Sequence, residues 1–195
     1  MKQRYWVCLL ALGVLHSVGA STFDWQAFEQ AIVAYHATPS AVTADAIRAA
    51  LPSEHVSYDH SPAEQSALRA LDQLLPTLFV SIRNRDRIAT ALGFDFLLVT
   101  DGGALEHIFG ALSELITLDP ALFLEGLKTR SYVPHSLITF MGQRFVDRDP
   151  AVRCNELQDR QRAIAGITDA GLADVREPCL ATLAQAIAGR CPTPR

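Results

Sequence analysis

The fold class is decided by residues 61–82, which read SPAEQSALRALDQLLPTLFVSI. Ser61 can cap a helix, Pro62 suits its first position, where no N–H is needed, and Glu64 completes a capping box. Four leucines then recur at helical spacing and form one apolar stripe: Leu68, Leu71, Leu75 and Leu78. Pro76 should kink or divide the helix, because it removes one backbone hydrogen bond. The stretch therefore predicts an amphipathic helix with a well-marked start.

Similar helix starts occur on both sides of this stretch. Ser21 and Asp24 have the spacing of a capping box. Asp119 and Asp149 each precede a proline that can occupy the first helical position. Apolar residues follow Asp24 on one helical face: Trp25, Phe28, Ile32 and Tyr35. Asp101 can cap a further helix with its own apolar stripe: Leu105, Ile108, Phe109, Leu112, Leu115 and Ile116.

The run Phe94–Val99, FDFLLV, suits either a buried strand or the end of a helix. No second strand pattern is available to pair with it, and an unpaired strand leaves half of its backbone polar groups without partners. We therefore expect a helix end here, and another short helix from Val133-Pro134 to about Gly142. Short connections favour antiparallel neighbours. We predict an all-α fold, an irregular bundle or HEAT-like stack of about eight or nine antiparallel helices, in a single domain over residues 21–195.

Residues 1–20 have the three parts of a secretory signal peptide. A basic start is followed by the apolar run WVCLLALGVL and by the small residues Val18-Gly19-Ala20. The apolar run is about half the roughly 20 residues that a membrane-spanning helix needs. We therefore expect cleavage after Ala20, no membrane span in the mature chain, and a periplasmic or secreted location.

The composition excludes several classes of protein. Hydrophobic residues make up 49% of the chain and charged residues 19%, so a disordered chain is excluded. The formal net charge is −4, and it becomes −6 once Lys2 and Arg4 leave with the signal peptide. A nucleic-acid partner is not expected, since its phosphates need a basic face. The sequence has no phosphate-binding loop, dinucleotide loop or nucleophile elbow, and we expect no cofactor.

Three cysteines remain after processing, and in an oxidising compartment one pair is expected to close. Cys179 and Cys191 flank the helical segment Leu180–Gly189, which separates them by roughly 18 Å, too far for a disulfide. An antiparallel C-terminal hairpin brings Cys154 to Cys191, whereas a third helix over 167–176 would bring Cys154 to Cys179. We favour the first pairing, which clamps the hairpin. The alternative role for Cys179 is a redox-active thiol near a helix N-terminus.

The most polar loop, residues 53–61, reads SEHVSYDHS. His55 and His60 lie there beside Glu54 and Asp59, and such nitrogen and carboxylate groups together can bind a transition metal. Their spacing matches no established metal motif, and an exposed connection between two helices explains the same composition. His55 and His60 are therefore weak candidates for metal ligands.

Further candidates concern contacts with a ligand or partner. Arg83 and Arg87 share a face of a continuing helix, where they could contact an acidic partner or simply pair with nearby acids. Asp101-Gly102-Gly103 could let a ligand approach the backbone at a helix N-terminus, or could serve only as cap and turn. His107 lies next to an apolar stripe and is either a base or a packed side chain. Tyr132 belongs to a candidate exposed apolar face.

These observations favour an exported, non-enzymatic helical binding protein of the inhibitor, immunity or adaptor type. Its expected partner is a protein or small ligand of the cell envelope. The alternative is a secreted hydrolase or metal-dependent enzyme that uses the loop histidines and carboxylates. A binding protein should present an exposed apolar groove, whereas an enzyme should bring at least two of those polar groups into one concave pocket.

Overall fold

The computed structural model describes residues 23–54, 56, 58–140 and 149–191. The expected signal peptide over residues 1–20, Ser21, His55 and the helix end at Gly142 lie outside the described residues. The described α-helices are α1 (Trp25–Ala37), α2 (Ala41–Ala50), α3 (Pro62–Arg83), α4 (Arg87–Asp95), α5 (Gly102–Leu118), α6 (Pro120–Lys128), α7 (Pro150–Ala165) and α8 (Ala173–Arg190). Short 3-10 helices cover Phe96–Leu98, His135–Thr139 and Ala170–Leu172.

The predicted all-α fold is confirmed, because no residue in these described ranges forms a β-strand and the helices pack against one another. The ambiguous run Phe94–Val99 is the end of α4 followed by a 3-10 helix, and all six of its residues are buried. Among the described helices, none combines the length and the apolarity that crossing a membrane would require.

The start of α3 agrees with the sequence. The Ser61 side chain accepts a hydrogen bond from the Glu64 N–H at 3.1 Å. The Glu64 carboxylate is buried and accepts hydrogen bonds from the N–H groups of Asp59 at 2.5 Å and His60 at 2.8 Å. The carboxylate thus holds the preceding loop against the first turn of α3. The expected capping box is not completed, because the Ser61 N–H donates to Asp59 Oδ1 at 2.8 Å instead of to Glu64.

Pro76 does not divide this helix, and the alternative of a kink stays a prediction. Helix α3 continues through Pro76 and ends at Arg83. An interior proline costs about 3 kcal/mol, but burying one leucine contributes about 1.5–3 kcal/mol. Three leucines close to the proline are buried, and together they offset its cost: Leu74, Leu75 and Leu78.

Helix α1 is capped by Asp24. The Asp24 carboxylate accepts a hydrogen bond from the Ala27 N–H at 2.9 Å, so Asp24 is itself the capping residue. The apolar face expected after it is buried throughout, as Trp25, Phe28, Ile32 and Tyr35. This face packs on α2 and α3, and the Phe28 ring lies 6.1 Å from that of Phe96, measured between centroids.

The C-terminal hairpin is closed by the expected disulfide. Cys154, in the first turns of α7, is bonded to Cys191, directly after α8, across a sequence separation of 37 residues and a Cα–Cα distance of 5.2 Å. Joining the start of one helix to the end of the next requires the two helices to run antiparallel. Residues 167–176, which could have formed a separate third helix, instead contain the 3-10 helix Ala170–Leu172 and the first turn of α8.

Two expectations for α8 are wrong. The helix begins at Ala173 instead of Pro178, because Val175 and Cys179 are both buried one turn apart and favour the earlier start. Cys179 consequently lies inside the helix rather than at its N-terminus, and its thiol is free. Burial raises the pKa of Cys179 to about 12, which is the opposite of the activation that a redox-active thiol requires.

Candidate functional site

An apolar cleft lies where four separate segments of the chain meet. Its volume is about 370 Å³, within the range of small-molecule sites. The residues that line it are Ser53, Glu54, Leu97, Leu98, Leu105, Phe109, Tyr132, Val133 and Pro134. Most of the wall is aliphatic or aromatic, and among the described residues that line it Ser53, Glu54 and Tyr132 carry polar side chains. This is the exposed apolar groove that a helical binding protein should present.

Each wall of the cleft has a local cause. The 3-10 turn after α4 places Leu97 and Leu98 side by side, because its tighter winding departs from the helical stripe. Leu105 and Phe109 are one turn apart on α5 and are half-buried, so they cover the core with one side and face the cleft with the other. Val133 is buried and anchors the opposite wall through a hydrogen bond from its N–H to the Arg130 carbonyl at 3.0 Å.

Tyr132 supplies a neutral polar group to the cleft. Its hydroxyl donates a hydrogen bond to the Phe94 carbonyl at 3.3 Å. Burial, and then the nearby Asp95 carboxylate, raise the pKa of Tyr132 to about 12. The phenol therefore keeps its proton at any physiological pH, and a second group can still approach the acceptor lone pairs of its oxygen.

An ion-pair network holds the Tyr132 wall in place. The buried Asp95 carboxylate accepts a hydrogen bond from Arg130 Nε at 2.7 Å and another from Arg48 Nε at 3.1 Å. Arg130 also donates to the Ala91 carbonyl at 3.0 Å, and its guanidinium lies 5.7 Å from the centroid of the Phe94 ring. These contacts connect α2, α4 and the end of α6 immediately before Tyr132, so the wall is fixed by charges that the cleft itself does not expose.

The structure separates Arg83 and Arg87, which sequence analysis expected on one helix face. Helix α3 ends at Arg83, the chain turns through Arg85 with a φ of 63°, and α4 begins at Arg87. Arg83 forms two hydrogen bonds to Glu114, at 2.7 and 3.2 Å, and Arg87 binds Glu125 at 2.5 Å. Both arginines therefore form surface ion pairs between helices, and neither lines the cleft.

The Asp101-Gly102-Gly103 turn starts α5 as expected, but the Asp101 side chain makes no capping hydrogen bond. We attribute this to Gly102, whose φ of 48° gives the first turn an irregular course that the carboxylate does not follow. All three residues are exposed and none lines the cleft. The cleft is instead lined by Leu105, in the next turn of the same helix.

The described histidines stay outside the cleft. His60 is exposed, has a φ of 58° and lies 3.9 Å from the Glu64 carboxylate. His107 is also exposed, with its ring 6.3 Å from that of Phe79. Within the described ranges no group of three or more His, Cys, Asp and Glu side chains could hold a metal ion. The enzyme alternative stays a prediction that these positions do not support.

Sequence analysis identified Tyr132 but missed most of the cleft. Leu105 and Phe109 were assigned to a core stripe, which is half correct, and Ser53 and Glu54 only to a polar loop. A signal was nevertheless present, since Leu105 and Phe109 lie at one edge of the α5 stripe. The comparisons with known proteins give no relative to guide the assignment: no family model, no curated protein and no solved structure matches the chain.

Proposed function

We propose that the protein is an exported, non-enzymatic helical binding protein whose apolar cleft takes a small, mainly apolar ligand of the cell envelope. The observation that carries this proposal is the cleft itself, with its volume of about 370 Å³ and its aliphatic and aromatic wall. Ligand sites of this kind combine an apolar lining with a few polar groups that fix orientation. Ser53, Glu54 and Tyr132 are available for that role.

The size of the cleft favours a small ligand over a protein partner. A stable protein interface covers roughly 800 Å² on each partner, whereas a cleft of about 370 Å³ has the size of a small-molecule site. The network around Asp95 supports binding at the cleft, because a prearranged wall does not have to be ordered when the ligand binds.

The Cys154–Cys191 disulfide supports the exported location. Such bonds form and persist in oxidising compartments and are rare in the cytosol. Expression with the natural N-terminus tests this part of the proposal. We expect the intact mass of a product that begins at Ser21, recovered from the periplasm or medium, and a full-length product in the cytosol would contradict it.

Ligand binding is tested with the neutral fluorescent probe N-phenyl-1-naphthylamine and the disulfide-bonded chain from Ser21 onward. We expect saturable binding of one probe per chain. Ser53→Phe fills the cleft from an exposed position and should weaken binding about tenfold, since it removes the volume that the probe occupies.

The matched control is Thr77→Phe, which adds the same ring at an exposed position on α3. This variant should bind the probe as the unmodified chain does. Absence of saturable binding, or equal weakening in Ser53→Phe and Thr77→Phe, would contradict the proposal.

A further inference from the structure

A second cavity, of about 380 Å³, lies at the disulfide end of the C-terminal hairpin. The described residues that line it are Pro150, Arg153, Cys154, Leu157 and Arg190. Cys154 and Leu157 are buried and form an apolar floor, while two guanidinium groups complete the wall. The cavity is lined by none of the residues of the apolar cleft.

The disulfide explains why the two arginines meet. Arg153 directly precedes Cys154 and Arg190 directly precedes Cys191, so the bond holds both arginines at the same end of the antiparallel pair. The Cα atoms of the two cysteines are only 5.2 Å apart. The convergence of charge is therefore built into the covalent structure and does not depend on a flexible loop.

Neither arginine is neutralised within the described part of the chain. Four other arginines in this part of the described chain each pair with a carboxylate: Arg130, Arg160, Arg162 and Arg176. None of the described carboxylates pairs with Arg153 or Arg190. Two acids lie within one helical turn of Arg153, and both have other partners. Asp149 caps α7 and accepts a hydrogen bond from the Ala151 N–H at 2.7 Å, while Glu156 accepts one from Arg160 Nε at 3.0 Å. A guanidinium cannot lose its proton in a protein, so both groups stay charged.

We propose that this cavity binds a small amphipathic anion, with the anionic head on Arg153 and Arg190 and the apolar body on Cys154 and Leu157. Arginine presents parallel N–H donors that match a carboxylate or phosphate. The half-buried position of Arg153 strengthens the attraction, because charges interact more strongly away from bulk water. A purely inorganic ion would leave the apolar floor uncovered.

Three probes test separately whether the anionic head and the apolar body are both needed for binding. Octanoate has a carboxylate and an alkyl tail, octanol has the alkyl tail without the charge, and inorganic phosphate has the charge without the tail. The disulfide-bonded, ¹⁵N-labelled chain is titrated with each probe while the arginine Nε–Hε signals are followed by NMR. We expect octanoate to shift the signals of Arg153 and Arg190, and octanol and phosphate to bind at least about tenfold more weakly.

Arg153→Gln and Arg190→Gln should each weaken octanoate binding about tenfold, since one charge-assisted contact is lost. Arg69→Gln, at an exposed position on α3, is the matched control and should leave binding unchanged. If the Gln variants are poorly folded, the response of the Arg153 and Arg190 Nε–Hε signals in the unmodified chain tests the proposal by itself. The proposal is overturned if octanoate leaves both signals unmoved, if octanol or phosphate binds equally well, or if Arg69→Gln has the same effect.

Discussion

At the scale of single residues, Asp95 is the side chain on which the cleft wall most depends. It is the shared anion of Arg48 and Arg130, and it is buried. Asp95→Asn keeps the shape but removes the countercharge of Arg130 and leaves Arg48 with only the exposed Asp45. We expect the free energy of unfolding to fall by about 3 kcal/mol, as measured by urea denaturation.

Asp45→Asn provides the control for this prediction. Asp45 also pairs with Arg48, at 2.6 Å, but its side chain is 71% exposed. Its loss should cost at most about 1 kcal/mol, because water screens exposed ion pairs. Equal effects of the two substitutions would show that the buried network does not hold the wall.

Two tyrosines make stability depend on alkaline pH. Burial is the main cause that raises the pKa of Tyr58 and of Tyr132 to about 12, whereas an unfolded tyrosine ionises near 10. Between these values the unfolded state loses protons that the folded state keeps, so stability falls as the pH rises from about 10 to 12. Urea unfolding at pH 9 and pH 11 measures the loss.

The double variant Tyr58→Phe with Tyr132→Phe should reduce this alkaline dependence. A dependence should persist, because burial also raises the pKa of Tyr35 and raises the pKa of Cys179 to about 12. An unchanged dependence in the double variant would mean that other groups cause it. Cys179, whose thiol is free, is the group to examine in that case.

Residue roles were only partly predictable. Helix length excluded the pair Cys179–Cys191, and the expected antiparallel hairpin favoured Cys154–Cys191 over Cys154–Cys179. The partners of Arg83 could not be predicted, since Glu114 lies on another helix and the turn at Arg85 breaks the expected face. Local spacing predicts contacts within one helix, but not between helices.

At the scale of elements, the close approach of α4 and α6 depends on a glycine. A Cβ atom at Gly126 would lie 2.1 Å from Cε2 of Phe94, well inside contact distance. Gly126→Ala should therefore push these helices apart and lower the free energy of unfolding by about 1–3 kcal/mol. Thermal or urea unfolding would register this loss.

Gly110→Ala is the matched substitution in α5. Nothing lies within 4 Å of a Cβ placed there, so the change only removes the entropic cost of a glycine inside a helix. It should stabilise the protein by about 0.5–1 kcal/mol. We expect the free energy of unfolding to fall in Gly126→Ala and to rise in Gly110→Ala. A rise in Gly126→Ala would contradict the close packing of α4 and α6.

Helix starts were the most predictable elements. Ser61, Asp119 and Asp149 each accept a hydrogen bond from the first turn of the helix that they precede. The cleft could not be predicted in the same way, because Ser53 and Pro134 meet only after the helices between them have packed. Periodicity identifies which face is apolar, but not which part of that face stays uncovered.

At the scale of the whole molecule, the disulfide links the start of α7 to the chain end after α8. Its closed loop of 37 residues should contribute about 4 kcal/mol by restricting the unfolded chain. The double variant Cys154→Ser with Cys191→Ser should lose that stability in urea unfolding. Reduction of the unmodified chain should give the same midpoint, and a midpoint independent of reductant would contradict this role.

The central claim, that the cleft is a ligand site, is tested most directly by methyl NMR of the disulfide-bonded chain titrated with N-phenyl-1-naphthylamine. The cleft predicts saturable shifts concentrated on the methyl groups that line it: Leu97, Leu98, Leu105 and Val133. Shifts confined to exposed valines such as Val33 and Val42, or the absence of any saturable shift, would contradict the claim.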